Sequence, residues 1–387
     1  MSSNQLQRRD FLRFISAGLG IALVSPYLSL AAANTGSARR FIFIIQRGAA
    51  DGLNTVIPYA DPAYAKLRGA LAIDVAQATK LDGMFALHAS LSETAKLYSA
   101  GQAAFIHAVA LPYRDRSHFD AQNVLETGGT SAYQLKDGWL NRLLPLLPNM
   151  QNGAIAIAAT VPLALRGKAE VSSYTPSALP QAPDDLLLRV SKLYAEDAQL
   201  NGLWQSAMQA NNLTDDASKR QDPATLGKLA ASFLNKPTGP RIAMIETGGW
   251  DTHSAQEGRL ARQLKDLDML IAALKENLGQ TWQKTTIFVA TEFGRTAAAN
   301  GTGGTDHGTA SAAMILGGDV KGGRVIADWP GLSNANLYEN RDLKPTLGMD
   351  TLIASLMAES FGLDPARVAN TLYPAHRDKL ISGLIKT

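Results

Sequence analysis

Six short apolar stretches punctuate the chain, and each runs into a cluster of polar and glycine residues. Phe41 to Ile45 has five apolar residues without polar alternation, which predicts a strand buried on both faces of a sheet. Ala103–Ala110, Ala154–Ala158, Arg241–Glu246, Thr286–Val289 and Ala312–Leu316 predict five more strands. Apolar residues at Leu260, Leu264, Leu267, Leu270, Ile271 and Leu274 keep helical spacing. Met349–Phe361 predicts an amphipathic helix near the carboxyl end, with Gly362 placed to cap it. Shorter helices are predicted over Leu91–Tyr98, over Asn123–Glu126 and from Asp137 onward. From about 162 to 240 the chain is less β-like, with helices expected near Leu186–Tyr194, Leu203–Ala210 and Ala224–Leu234. That region reads as a mainly helical insertion beside the sheet. The pattern as a whole predicts an α/β fold: a mostly parallel central sheet flanked by helices, in one domain over 34–387.

In an open α/β sheet the loops at the carboxyl ends of the strands converge on one crevice. Four loops qualify here, at 46–54, 111–122, 247–253 and 291–308. Pooled, they carry Asp51, Asn54, Arg114, Arg116, Ser117, His118, Asp120, Asp251, His253, Glu292, Arg295, Asp306 and His307. Asp251 and His253 form an Asp-x-His pair, and alternate residues of an extended loop face the same way, so both can meet one metal. Asp51 precedes Gly52 and reads either as a turn or helix cap or as a site carboxylate. His107 lies inside a strand and reads as a core histidine bonded to backbone. Imidazoles with carboxylates suit Zn²⁺, Mn²⁺ or Mg²⁺. Arginines beside them suit the anionic oxygens of a phosphate or sulfate ester.

Composition narrows the classes. Of 387 residues, 46% are hydrophobic and 18% charged, enough for a sizeable core. A net charge of +3, without a basic aromatic platform, argues against a nucleic-acid partner. Cysteine is absent, which excludes disulfides, thiolate metal sites and a cysteine nucleophile. No G-x-G-x-x-G follows the first strand and there is no haem motif, so no organic cofactor is expected. At the amino end, Arg8-Arg9-Asp10-Phe11-Leu12 precedes a mildly apolar stretch, and Ala31-Ala32-Ala33 offers a cleavage site. Residues 1–33 are thus expected to be a twin-arginine signal peptide, with the translocase as a transient partner. The mature protein is then expected in the periplasm or outside the cell, with no stable membrane anchor.

Six blocks occur in order: R-G-x-A-D-G-L-N, Y-R-x-R-S-H-F-D-A-Q, G-G-W-D-T-H, T-E-F-G-R-T, N-G-T-G-G-T-D-H-G and K-G-G-R-V. In them the chain resembles an uncharacterised, usually twin-arginine-exported family, domain of unknown function 1501, which is distantly similar to the alkaline phosphatase and sulfatase-like superfamily. The resemblance implies an alkaline phosphatase-like fold and a site built for two metals. It places Asp251, His253 and His307 in one metal position. Glu292 and Asp51 would serve the other, where Phe293 and Arg47 stand at positions expected to hold ligands. Ser117 or His118 would lie near the nucleophile, with Arg114 or Arg116 holding the substrate anion and Glu292 and Arg295 completing the catalytic group. The expected function is an exported metal-dependent hydrolase of small anionic phosphate or sulfate esters. The alternative is a non-catalytic secreted binding or matrix protein on the same fold.

Overall fold

The computed structural model describes residues 39–148, 153–175 and 222–386, with scattered positions between 190 and 204. Residues 1–33 and most of the expected helices at 186–194 and 203–210 lie outside the described residues. The main sheet contains strands β1 (Arg40–Gln46), β2 (Ala103–Ala110), β3 (Ala154–Ile157), β4 (Ser172–Ser173), β5 (Ile242–Thr247), β6 (Thr285–Thr291), β7 (Ser311–Leu316), β8 (Arg324–Ile326) and β9 (Leu347–Gly348). Its order is β8-β2-β7-β6-β1-β5-β3-β4, with β9 also paired to β2. β1 sits at the centre, parallel to β5 on one side and β6 on the other. β7 is antiparallel to both neighbours, β6 and β2, so β2 regains the direction of β1. The sheet is mostly parallel with one reversed strand, and the expected α/β class stands.

The uninterrupted apolar runs follow from burial on both faces. Alternate residues of β1 serve two separate cores. Phe41, Phe43 and Ile45 pack with Phe288 and Met244 against one helical layer. That layer is formed by α2 (His118–Thr127), α3 (Trp139–Leu143), α6 (Met349–Phe361) and α7 (Pro365–Leu372). Ile42 and Ile44 pack with Ala243, Ile245, Ile287 and Val289 against the other. The second layer is built from α1 (Ser92–Ser99), α4 (Pro223–Leu234) and α5 (Gln256–Leu278). Trp139 is fully buried, with its ring 5.5 Å from that of Phe43. His107 is a core histidine as expected. Its Nε2 bonds the Val56 carbonyl at 2.9 Å, and burial pushes its pKa down to about 4.

Two expectations need correction. α2 begins at His118 rather than Asn123, so the polar run Ser117-His118-Phe119-Asp120 forms a helix entry and not an open loop. The sheet also continues into the region read as helical, because β4 adds to β3 in parallel register. No helix among the described residues is long and apolar enough to cross a membrane.

Candidate metal centre

β1, β2, β5 and β6 run the same way, so their carboxyl ends open onto one edge of the sheet. His118 enters from the first turn of α2, after β2. Asp251 and His253 come from the turn after β5, and His307 from the glycine-rich loop between β6 and β7. Ligand atoms of His118, Asp251 and His307 all lie within 4.8 Å of one another. His307 Nε2 is 2.9 Å from His118 Nε2 and 3.0 Å from His253 Nε2. Asp251 Oδ1 lies 3.0 Å from His253 Nε2 and 3.4 Å from His307 Nε2, and Oδ2 lies 3.5 Å from His118 Nε2.

Each imidazole is held from behind at its other nitrogen. His118 Nδ1 is 2.8 Å from Glu292 Oε1, His253 Nδ1 is 3.1 Å from Asp306 Oδ1, and His307 Nδ1 is 3.0 Å from the Arg116 carbonyl. Carboxylates and carbonyls only accept, so each Nδ1 carries the proton and each Nε2 presents a lone pair. Neighbouring lone pairs about 3 Å apart repel unless something positive lies between them. A proton on one Nε2 could bridge a pair of rings and would leave a charged imidazole among them, whereas a divalent cation can take lone pairs from several ligands together. Ligands about 2.0–2.1 Å from a tetrahedral ion stand roughly 3.3 Å apart, close to the 2.9, 3.4 and 3.5 Å among His118, His307 and Asp251. Donor type and spacing therefore fit a divalent metal, and an outer acceptor on each imidazole is the usual accompaniment of one.

The charges around the group are individually anchored. Glu292 is fully buried, and its Oε1 accepts from His118, the Gly48 amide at 2.8 Å and Gln122 Nε2 at 2.9 Å. Burial alone would raise its pKa, but these bonds outweigh burial and hold it below the usual glutamate value. The bond to Glu292 in turn raises His118 above the usual histidine value, with burial opposing. His307 is lowered, chiefly by burial and then by the neighbouring His118. Asp251 accepts from Arg295 at 2.6 Å, which more than offsets burial and keeps it ionised. Arg295 itself is fully buried and also bonds Thr305, so its role is to hold Asp251.

Two glycines let backbones come close enough to build the group. Gly48 has φ +119°, and a Cβ there would lie 2.6 Å from the Asp251 amide nitrogen. A Cβ on Gly304 would lie 2.3 Å from the His253 carbonyl.

Several expected site residues are placed elsewhere. Asp51 is the helix cap of the two sequence readings: its Oδ1 accepts from the Leu53 and Asn54 amides, and Arg68 binds it at 2.6 Å with both groups buried. Gln256 takes the remaining Oδ2 position, which leaves Asp51 no lone pair for a metal. Glu292 turns Oε1 to the back of His118, to Gln122 and to the Gly48 amide. Arg116 is committed to Asp342 at 2.9 Å and to Glu339, and its carbonyl, not its guanidinium, reaches the centre. Asp120 accepts from Tyr113 at 3.2 Å, and Asn54 bonds Leu71 and Tyr64. Phe293 packs against His118 and His307 with ring centroids 4.9 and 5.2 Å away. Arg47 is paired with Glu126 and Glu246. At two positions where the resemblance implies ligands, the chain thus carries a ring and an ion-paired guanidinium, neither of which can ligate an ion. His118, expected near the nucleophile, stands among the candidate ligands as well. The signal that could have found it is its place on the helix entry after a buried strand.

Ser117 occupies the amino-cap position of α2 without using its side chain to cap it. Arg114 is half-buried and, among the described residues, forms no ion pair; its Nη1 only meets the Tyr113 carbonyl at 3.2 Å.

A family model described as "Protein of unknown function (DUF1501)" matches residues 38–372. No curated protein matches. The solved structures with similarity include the carboxyl-terminal periplasmic domain of EcEptC from Escherichia coli, at 10% identity over 89% of each chain and TM-score 0.41. A phosphonate monoester hydrolase of Agrobacterium radiobacter has 9% identity over 89% of this chain and 79% of its own, at TM-score 0.38. The lipoteichoic acid synthase LtaP from Listeria monocytogenes has 10% identity over 85% of this chain and 73% of its own, at TM-score 0.40.

Proposed function

The chain belongs to this DUF1501 family, whose description assigns no activity, and for it we propose an exported hydrolase of phosphate or sulfate esters that works with one divalent metal ion. The observation that carries the reading is the convergence of three imidazole Nε2 atoms on Asp251 with every Nδ1 bonded outward. His118, His307 and Asp251 would hold the ion, with His253 at the more open side. An imidazole-rich set favours Zn²⁺ or Mn²⁺ over Mg²⁺. When bound, the ion would polarise the ester oxygen and favour the nucleophile.

The chain's own groups supply the rest. Ser117 is the candidate nucleophile, one residue before a ligand and at the amino end of α2. Backbone N–H groups of that first turn lack helical acceptors, and the helix dipole favours negative charge there. Arg114 brings a cation that no acid among the described residues pairs with. Glu292 keeps His118 in the tautomer that binds, and Arg295 keeps Asp251 ionised. Residues 1–33 would direct twin-arginine export of the folded protein to the periplasm or beyond.

The test is hydrolysis of p-nitrophenyl phosphate and p-nitrophenyl sulfate by protein loaded with Zn²⁺ or Mn²⁺. Turnover of one ester, lost in Ser117→Ala with the metal retained, supports the reading. Metal binding without turnover of either ester leaves the binding-protein alternative.

A further inference from the structure

We propose that Gln122 and Arg47 are positioning residues of the metal centre, acting on His118 through Glu292. The inference rests on the metal reading above and adds how the first ligand is aimed. Arg47 Nη1 donates to Gln122 Oε1 at 3.0 Å. A guanidinium has only donors, so the oxygen of the Gln122 amide must face Arg47 and its NH₂ must face Glu292. Gln122 Nε2 then donates to Glu292 Oε1 at 2.9 Å. The same oxygen accepts from His118 Nδ1, which turns the lone pair of Nε2 toward His307. The direction of every bond from Arg47 to the centre is therefore set at the Arg47 end.

That end is rigid. Arg47 Nε lies 3.0 Å from Glu246 and Nη2 lies 2.9 Å from Glu126. Glu126 also accepts from the Ala164 amide at 3.0 Å, which ties it to the neighbouring loop. Gln122 stands one helical turn after His118 on α2, so both side chains share a face and reach Glu292 together. The relay joins three of the sequence blocks: the arginine that opens the first, the glutamine that closes the second, and the glutamate of T-E-F-G-R-T. Of the three, only Glu292 meets a histidine of the cluster, and Gln122 and Arg47 stand behind it.

The test is Zn²⁺ affinity, measured by competition with a chromophoric chelator on the whole protein, in a double-mutant cycle. Gln122→Leu should bind Zn²⁺ several-fold and up to about 10-fold more weakly than the parent, the low end of the cost of losing an outer partner, because Gln122 acts one bond behind Glu292. Gln122→Glu, which sets a second carboxylate against Glu292, should bind more weakly still. In a His118→Ala background, Gln122→Leu should cause no further loss, because its effect passes through His118. Arg47→Met should also weaken Zn²⁺ binding; circular dichroism of each metal-free variant verifies the fold, and the Gln122 cycle decides the matter even where Arg47→Met fails to fold. Parent-like affinity in Gln122→Leu, or an undiminished loss in the His118→Ala background, overturns the inference. A parent protein that takes up no Zn²⁺ overturns the metal reading itself, and this inference with it.

Discussion

His118 and His307 meet Nε2 to Nε2 at 2.9 Å, while the Nδ1 of each is taken by a separate acceptor on the far side. Two neutral rings do not adopt that approach for their own sake. Read as a ligand pair, the contact puts His307 at the hub of the centre.

His307 touches His118, His253 and Asp251, whereas the side chain of His253 is 46% exposed and sits at the rim. His307→Ala should therefore lose more metal affinity than His253→Ala. It should also exceed the roughly 10–100-fold expected for an outer partner. Isothermal titration with Zn²⁺ ranks the two.

Asp51 is bonded by Arg68 with both side chains out of solvent. Arg68→Met strands a buried carboxylate and should cost about 3–5 kcal/mol in urea unfolding. Asp51→Asn should weaken the fold yet leave the metal content unchanged, which separates this buried pair from the centre.

Gly304 passes against the His253 backbone, with no room for a Cβ. Gly304→Ala should push the 247–253 and 300–308 loops apart. A cost of roughly 1–3 kcal/mol is expected from overpacking, together with weakened metal binding. Gly301→Ala, with open space around its added carbon, is the matched control.

His107 supplies a pH dependence of stability. In the fold its pKa is pushed to about 4, whereas in the unfolded chain it titrates near the ordinary value of about 6.5. Between those values the unfolded chain binds the extra proton, so stability falls as pH drops through that window. The contribution is complete near pH 4, absent above the unfolded value, and at most roughly 3 kcal/mol. Denaturant titrations at pH 7.5 and 4.5 should show a smaller difference for His107→Gln than for the parent.

Much of this was legible in the sequence, for physical reasons. Strands covered on both faces carry apolar runs and core-facing helices keep helical spacing, and so the strand Ala103–Ala110 and the helix Met349–Phe361 appear with the bounds expected of them. The four polar loops gather because their strands share a direction. Strand direction itself has no periodicity signature, and the reversal of β7 was not visible. The entry to α2 was hidden because Arg116-Ser117-His118 is polar and is held by tertiary bonds rather than by helix propensity. Asp51 allowed two readings because its partner, Arg68, lies 17 residues away and no local pattern joins them. Phe293 and Arg47 were recognisable as departures from the resemblance, but what they pack against was not.

The most direct measurement is elemental analysis of the full chain purified without chelator and supplemented with Zn²⁺ and Mn²⁺, beside His118→Ala and His307→Ala. The account predicts one divalent ion per chain in the parent, with the stoichiometric ion lost from both variants. A parent that holds no ion, or variants that retain it in full, would contradict it.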